Sequence, residues 1–382
     1  MEVENLIYLD NAATSLGRPP EVSKAVAEAL ERFGNPGRSF YTPAMEAARA
    51  VFRTRQAVAD LVGGIDPLRI AFTANATESL NLAVQSLITP QDHVITTVLE
   101  HNSVLRPLYL LGCELSVLDC DDTGALRVAD LKGHLRPNTR AVVCTHGSNL
   151  LGSLTDMEAI GAFCDQHGLL LIADTAQTLG CVPVTADMAD VLCFTGHKGL
   201  MGPQGTGGLI VREGLPLRLV KTGGSGSHSF EPHQPLEMPD ILEAGTLNVH
   251  GLWGLRAGID YIAKTGVEAI MAKEQALTAR FLGGVADLPG VRLYGPSAGG
   301  HRLPVVSLNL GDMPSEELAL RLWEGWQVAT RAGSHCAPLA HKRFGAETQG
   351  MVRFSFGYFN TEAEIDTTLD ALRCIVRERG HG

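Results

Sequence analysis

The chain has 382 residues, of which 45% are hydrophobic and 19% charged. That balance excludes an intrinsically disordered chain, whose signature is low hydrophobicity with high charge. The formal net charge of −11 comes with no basic stripe, which argues against a nucleic-acid partner.

In chain order, Pro19-Pro20 opens a predicted helix with Val22, Val26, Ala29, Leu30 and Phe33 on one face. Arg69–Thr73 reads as a strand, and Leu80, Val84, Leu87 and Ile88 as an amphipathic helix that stops near Pro90. His93–Val98 and Ala141–Thr145 are further strands. Thr155 and Glu158 have the spacing of a capping box before a helix through Cys164. Leu169–Asp174 and Val191–Thr195 are continuous apolar runs, the pattern of strands buried on both faces of a parallel sheet. The alternation predicts an α/β domain with a mostly parallel sheet. From about residue 255 the texture changes. Helical stretches at Val267–Leu282 and Glu316–Trp326 alternate with strands at Val305–Leu310 and Met351–Phe356. Thr361 and Glu364 cap a last helix carrying Ile365, Leu369 and Leu372. The expectation is a large α/β domain over 15–255, with 1–14 and 256–382 forming a smaller α+β domain. Gly223–Pro239 is a loop without periodicity.

The opening Met1-Glu-Val-Glu-Asn has no basic stretch with an apolar run behind it, so no signal peptide is expected. Runs such as Leu169–Ala173 are too short to cross a bilayer. A soluble, cytoplasmic protein is expected, with no membrane association. None of the 8 cysteines forms a C-x-x-C pair, which removes the main support for zinc or thioredoxin-like readings; no metal is expected. Cys144 and Cys193 fall in apolar strands and Cys164 and Cys374 in helices, so these four are expected in the core.

Several chemical groups follow strands in order. Lys198, in Val191-Leu-Cys-Phe-Thr-Gly-His-Lys198, sits where an apolar strand stops. A partly desolvated lysine there could form a Schiff base, or it could simply snorkel from the strand end. Asp174 closes another apolar strand and could pair with a ring nitrogen or cap a helix. Thr77, in Ala74-Asn-Ala-Thr-Glu-Ser79, marks a helix N-terminus suited to an anion, or a cap alone. His101 could stack on a ring or be structural, and Asn149 could donate to an oxygen or stabilise its turn. Ligands of open α/β sheets bind beyond the carboxyl ends of strands, and these groups all lie there.

In that order, from Tyr8-Leu-Asp-Asn-Ala-Ala-Thr14 to Arg353-Phe-Ser-Phe-Gly-Tyr-Phe-Asn-Thr361, the chain resembles the class V aminotransferase superfamily of fold type I, and within it the cysteine desulfurases. The resemblance implies pyridoxal 5′-phosphate (PLP) held as a Schiff base on Lys198. Asp174 would face the ring nitrogen, His101 would stack on the ring, and Asn149 and Gln177 would reach the phenolic oxygen. Ala76, Thr77, Thr195 and His197 would form the phosphate site. It further implies a homodimer in which Thr246, in Glu243-Ala-Gly-Thr-Leu-Asn248, reaches the phosphate of the second subunit.

Arg331-Ala-Gly-Ser-His-Cys-Ala-Pro338 resembles the persulfide loop of the group II desulfurases, the SufS-like enzymes and selenocysteine lyases. A glycine-bearing loop with Cys336 between Arg331 and His335 is expected to be mobile and electropositive, which favours a thiolate; the alternative is an ordinary buried thiol. Arg353 matches the family's α-carboxylate clamp, with a surface salt bridge as the alternative. Ala12, Asn149 and Arg331 complete the expected substrate contacts. Departures from the family pattern are Ala76 in place of a first threonine, Ser334 in place of a first histidine, and Asn102-Ser103 after Glu100-His101. The implied reaction turns L-cysteine into L-alanine, with a persulfide on Cys336 that an acceptor relieves. The alternatives are a selenocysteine lyase or cysteine β-lyase on the same scaffold, or a PLP-holding scaffold protein without turnover, which Gly223–Pro239 could serve.

Overall fold

Two sheets organise the chain, a seven-stranded one with an apolar core on each face and a four-stranded one with a core of its own. The computed structural model describes residues 6–380, except 38, 225–229 and 300–301. Part of the Gly223–Pro239 loop therefore lies outside the described residues. Strand β1 (Ile7–Tyr8) comes first, then helices α1 (Pro20–Arg32) and α2 (Thr42–Leu61). Proline at the start of α1 fits because a first-turn N–H has no partner in a helix. Val22 and Ala29 are buried, but Leu30 is 64% exposed, contrary to expectation. One residue past Ala29 is about 100° of rotation, enough to carry Leu30 off the packed face.

The central run is β2 (Ile70–Thr73), α3 (Ala76–Leu87), β3 (His93–Thr97), α4 (Asn102–Leu111), β4 (Glu114–Leu118), β5 (Thr139–Thr145), α5 (Met157–His167), β6 (Leu170–Asp174), β7 (Val191–Thr195) and β8 (Gly207–Val211). The seven strands lie in the order β2-β8-β7-β6-β5-β3-β4. Pairing is parallel from β4 through β7, while β8 runs antiparallel to both β2 and β7. β6 and β7 are buried throughout, as their unbroken apolar runs anticipate. Two strands of this sheet are unanticipated, β4 and β8. Cβ atoms at Gly207 and Gly208 would lie 2.7 Å from the Asn75 Cα and 2.6 Å from the Ala71 carbonyl oxygen. Glycine is needed there for close approach.

The cap of α5 also differs from expectation. Asp156 accepts the Ala159 N–H at 2.9 Å, while the Thr155 hydroxyl donates to the Thr145 carbonyl at 2.7 Å. Thr155 thus ties the helix to β5, and the carboxylate of the next residue takes the N-cap, where negative charge suits the helix dipole.

The remaining elements are α6 (Val249–Thr265), α7 (Val267–Val285), β9 (Val291–Tyr294), β10 (Val305–Leu310), α8 (Ser315–Trp326), β11 (Val328–Ala329), β12 (Arg331–Gly333), α9 (Pro338–Arg343), β13 (Met351–Ser355) and α10 (Glu362–Gly380). An antiparallel sheet runs β12-β13-β10-β9, and β1 pairs parallel with β11. Phe281 packs on Phe354 and Phe356, with ring centroids 4.7 and 5.3 Å apart. Thr361 and Glu364 form the expected box at α10, the Thr361 N–H donating to Glu364 at 2.7 Å and the Glu364 N–H to Thr361 Oγ1 at 3.3 Å. Cys374 is exposed rather than buried, because two residues past Leu372 it faces away from the stripe of Ile365, Leu369 and Leu372. The expected division at residue 255 falls inside α6, whose Ile259 and Ile262 pack in the large core. Ile270 still packs there, whereas Leu277 packs in the small core; we propose the division within α7 between them.

Edge strand β2 is covered by a buried ion pair. Arg55 meets Glu243 at 2.6 Å, Glu243 accepts the Phe72 N–H at 2.6 Å, and Arg55 also donates to the Ile70 carbonyl. Removing one partner leaves a buried charge alone, which costs about 3–5 kcal/mol. Arg55→Met should lower unfolding free energy by that amount in urea titrations, and Arg55→Met with Glu243→Leu by clearly less. Equal losses in the two variants would show that the pair is not the source of the stability.

Candidate active site

The carboxyl ends of five strands converge on one cavity of about 540 Å³. β2 leads through Asn75 into α3, with Ala76 and Thr77 on the cavity wall. β3 leads to His101, β5 to Asn149, β6 ends on Asp174 with Gln177 beyond, and β7 ends on Thr195 before His197 and Lys198. The small domain contributes Arg331, Cys336 and Arg353, and the N-terminal segment Ala12. The fold thus brings every expected site residue to this cavity except Thr246. Thr246 is exposed and lines a separate depression with Lys221 and Asn248.

Lys198 is partly buried. Burial lowers its pKa to about 8; Asp174 opposes that shift, while Arg353 and Arg331 reinforce it. Asp174 is buried and accepts the Ala176 N–H at 2.9 Å. Burial raises its pKa, and that hydrogen bond and Lys198 pull it back. His101 and His197 are both lowered to about 4, first by burial and then by Lys198, so both rings are neutral near pH 7. Thr195 Oγ1 is buried without a protein partner.

Arg353 is 2% exposed. Its Nη2 donates to Asp10 at 2.8 Å and its Nη1 to the Asn149 carbonyl at 3.1 Å, while Nε has no partner. Ala12 is placed by its N–H to Ser355 Oγ at 2.9 Å and by the Gln177 side-chain amide donating to its carbonyl at 3.0 Å. Asn149 donates to the His335 carbonyl at 2.9 Å.

Cys336 is exposed on the cavity rim, whereas Cys113, Cys120, Cys144, Cys164 and Cys193 are buried. Burial pushes the thiols of Cys144, Cys181 and Cys193 well up, which leaves them unreactive. The expected cationic loop is corrected at His335. That ring is buried, donates from Nε2 to the Arg331 carbonyl at 3.1 Å, and is lowered to about 3. It is neutral, so Arg331 is the loop's cation.

Sequence reading missed Asp10, the partner of Arg353, and Ser103, whose hydroxyl contacts both Thr77 and His101. Tyr8-Leu-Asp carried Asp10 in view, but nothing in sequence pairs it with residue 353. Among the described residues no group of three or more His, Cys, Asp or Glu could hold a metal ion, and no helix is long and apolar enough to cross a membrane.

The Aminotransferase class-V family model matches residues 7–368. A probable cysteine desulfurase of Pyrococcus abyssi is 34% identical, over 98% of this chain and 95% of the relative. The chain belongs to the cysteine desulfurases of the class V aminotransferase family. A cysteine desulfurase of Salmonella agona is 31% identical over 98% of this chain and 94% of its own. The apo structure of a cysteine desulfurase from Thermococcus onnurineus superposes with a TM-score of 0.91 at 33% identity, covering 98% of this chain and 96% of that one. As in that family, the fold is a PLP-type α/β architecture with a large, mostly parallel sheet.

Lys198 reactivity should follow its lowered pKa. Competitive acylation of the cofactor-free protein should show Lys198 half-reactive near pH 8, against about 10.4 for an exposed lysine. Asp174→Asn should move that midpoint lower, since it deletes the anion that favours the ammonium. A midpoint above pH 10 in the unaltered protein would contradict this electrostatic picture.

Proposed function

We propose that the protein is a PLP-dependent desulfurase that converts L-cysteine to L-alanine, passing sulfur through a persulfide on Cys336 to an acceptor. The observation that carries this reading is an exposed thiol on the same cavity as a lysine of lowered pKa and a buried arginine with a free donor. The donor set fits PLP. Thr77, Thr195 and His197 with the α3 N-terminus suit a phosphate, and the unpartnered Thr195 hydroxyl is a buried donor that such an anion would satisfy. The Asp174 carboxylate suits a protonated ring nitrogen, and Lys198 suits the aldehyde. The cofactor would supply that aldehyde and a ring able to accept electrons when a Cα–H bond breaks.

The protein's own groups account for the rest. Arg353 offers its free Nε–H to the substrate carboxylate. Lys198, with a large neutral fraction near pH 8, takes the α-proton and can return a proton to carbon. The Cys336 thiolate attacks the substrate sulfur. An S–S bond forms, the C–S bond breaks with its electron pair left on carbon, and that carbon gains a proton to become the methyl group of alanine. A reductant or acceptor thiol must then remove the sulfur. The arginine-to-cysteine spacing of the loop from Arg331 to Pro338 supports a group II assignment, with Ser334 as its departure.

A second copy of the chain supports the site in this reading, Thr246 reaching the partner's phosphate region. Exposed Phe40, Tyr41, Met45 and Phe52, at and before α2, offer an apolar face for such pairing. The free thiols suit a reducing cytoplasm.

The test is to incubate the holoenzyme with L-cysteine and, separately, with L-selenocysteine, and to identify the organic product. Alanine from L-cysteine, lost by at least about tenfold in Cys336→Ala, is expected. Pyruvate and ammonia would indicate a β-lyase, and alanine from selenocysteine alone a selenocysteine lyase. No product from either would indicate a protein that holds PLP without turnover.

A further inference from the structure

The N-cap of α4 is an imidazole. His101 Nδ1 accepts the Ser103 backbone N–H at 3.0 Å, and Ser103 Oγ lies 2.8 Å from the same nitrogen. A backbone N–H can only donate, so Nδ1 holds a lone pair and the proton of the neutral ring is on Nε2. The Ser103 hydroxyl then also donates to Nδ1, and its oxygen is left to accept. Thr77 Oγ1 is 2.7 Å away, in the first turn of α3. The hydrogen bonds therefore run in one direction, from the Thr77 hydroxyl to the Ser103 hydroxyl to His101 Nδ1.

We propose that Ser103 is a positioning residue: its backbone N–H and hydroxyl together hold His101 as the neutral Nε2–H form, and its hydroxyl links that ring to the anion-binding end of α3. The inference deepens the PLP reading of the same cavity. Two consequences follow. A second proton on the ring would have to enter at Nδ1, where it meets the Ser103 N–H. The charged groups around the ring oppose it as well: Lys198 after β7, Arg353 on β13 and Arg106 on α4 are all cationic. Moreover, a Thr77 hydroxyl that turns to donate to an anion must withdraw from Ser103. Anion binding at α3 is thereby felt at His101, although the two residues share no direct hydrogen bond in this chain of contacts.

The test uses cofactor-free protein with ¹⁵N-labelled histidine, so it reads the ring itself and is independent of turnover. Unaltered protein should show His101 as the Nε2–H form across neutral pH, and inorganic phosphate should shift its Nδ1 signal. In Ser103→Ala the backbone donor stays and the hydroxyl goes. The His101 titration midpoint should then rise by at least about half a pH unit, the size of one lost neutral hydrogen bond, and the phosphate response should disappear. Ser103→Thr should restore both. Thr77→Val, which removes the far link together with one donor of the anion site, should keep the Nε2–H form. An Nδ1–H form in the unaltered protein, or a Ser103→Ala variant with unchanged titration and phosphate response, would overturn the proposal. Failure of the desulfurase assay with these NMR results intact would instead refute only the proposed function.

Discussion

A buried guanidinium is the constraint around which the site is arranged. Arg353 lies on the central part of β13 with almost no exposed surface. Burial lowers its pKa, and Asp10 supplies the opposing anion. A charge so enclosed persists only with good geometry and hydrogen bonds to its remaining protons. This explains why the segment before α1 is stitched to β13 at several points. Leu9 accepts the Ser355 N–H at 2.7 Å, the Ala12 N–H donates to Ser355 Oγ, and the Asn11 side chain donates to the Ser355 carbonyl at 3.0 Å. The Asn149 carbonyl then joins the loop after β5 to the same arginine. Three distant stretches of sequence meet at one side chain, and the cavity floor is their meeting place.

The same enclosure sets the state of Lys198. Asp174 at the end of β6 favours the ammonium, while burial and the two arginines disfavour it. A displacement from 10.5 to about 8 corresponds to roughly 3 kcal/mol against the charged form, so desolvation prevails over the carboxylate. Asp174 itself is raised by burial and held down partly by Lys198. Each group moderates the other, and a change at one must appear at both.

Much of this was legible in the sequence where physics is local. The apolar runs ending on Asp174 and Thr195 announce buried strands, and side chains at strand ends must project beyond the sheet. Glycine hides β8, because its two leading residues carry no side chains from which a strand pattern could be read. Leu30 and Cys374 were misplaced by one or two residues of helical rotation, which decides burial at the edge of a stripe. Thr155 was misplaced because a distant carbonyl outcompetes the local cap. The charge of His335 was beyond sequence altogether. An imidazole between an arginine and a cysteine looks cationic in one dimension, but its neutrality follows from burial and from the guanidinium of Arg353, which is remote in the chain.

The cysteine loop shows how these constraints combine. Gly333 has φ +98°, and His335 and Cys336 follow at +51° and +55°. Non-glycine residues in that region store strain of roughly 1–3 kcal/mol each, held only where surrounding contacts over-determine the backbone. Two such contacts are present: Asn149 donates to the His335 carbonyl, and the Asn102 N–H donates to the Cys336 carbonyl at 2.8 Å. The His335 ring adds a third through the Arg331 carbonyl and faces His341 in parallel, with centroids 5.7 Å apart. The backbone of Cys336 is therefore anchored to the residues that open the loop after β5 and helix α4, while its thiol projects free. Glycine sets the turn into this conformation, and the anchors resist its relaxation. The position of the Cys336 backbone is thus set by residues of the large domain, Asn149 and Asn102, and not by the loop alone.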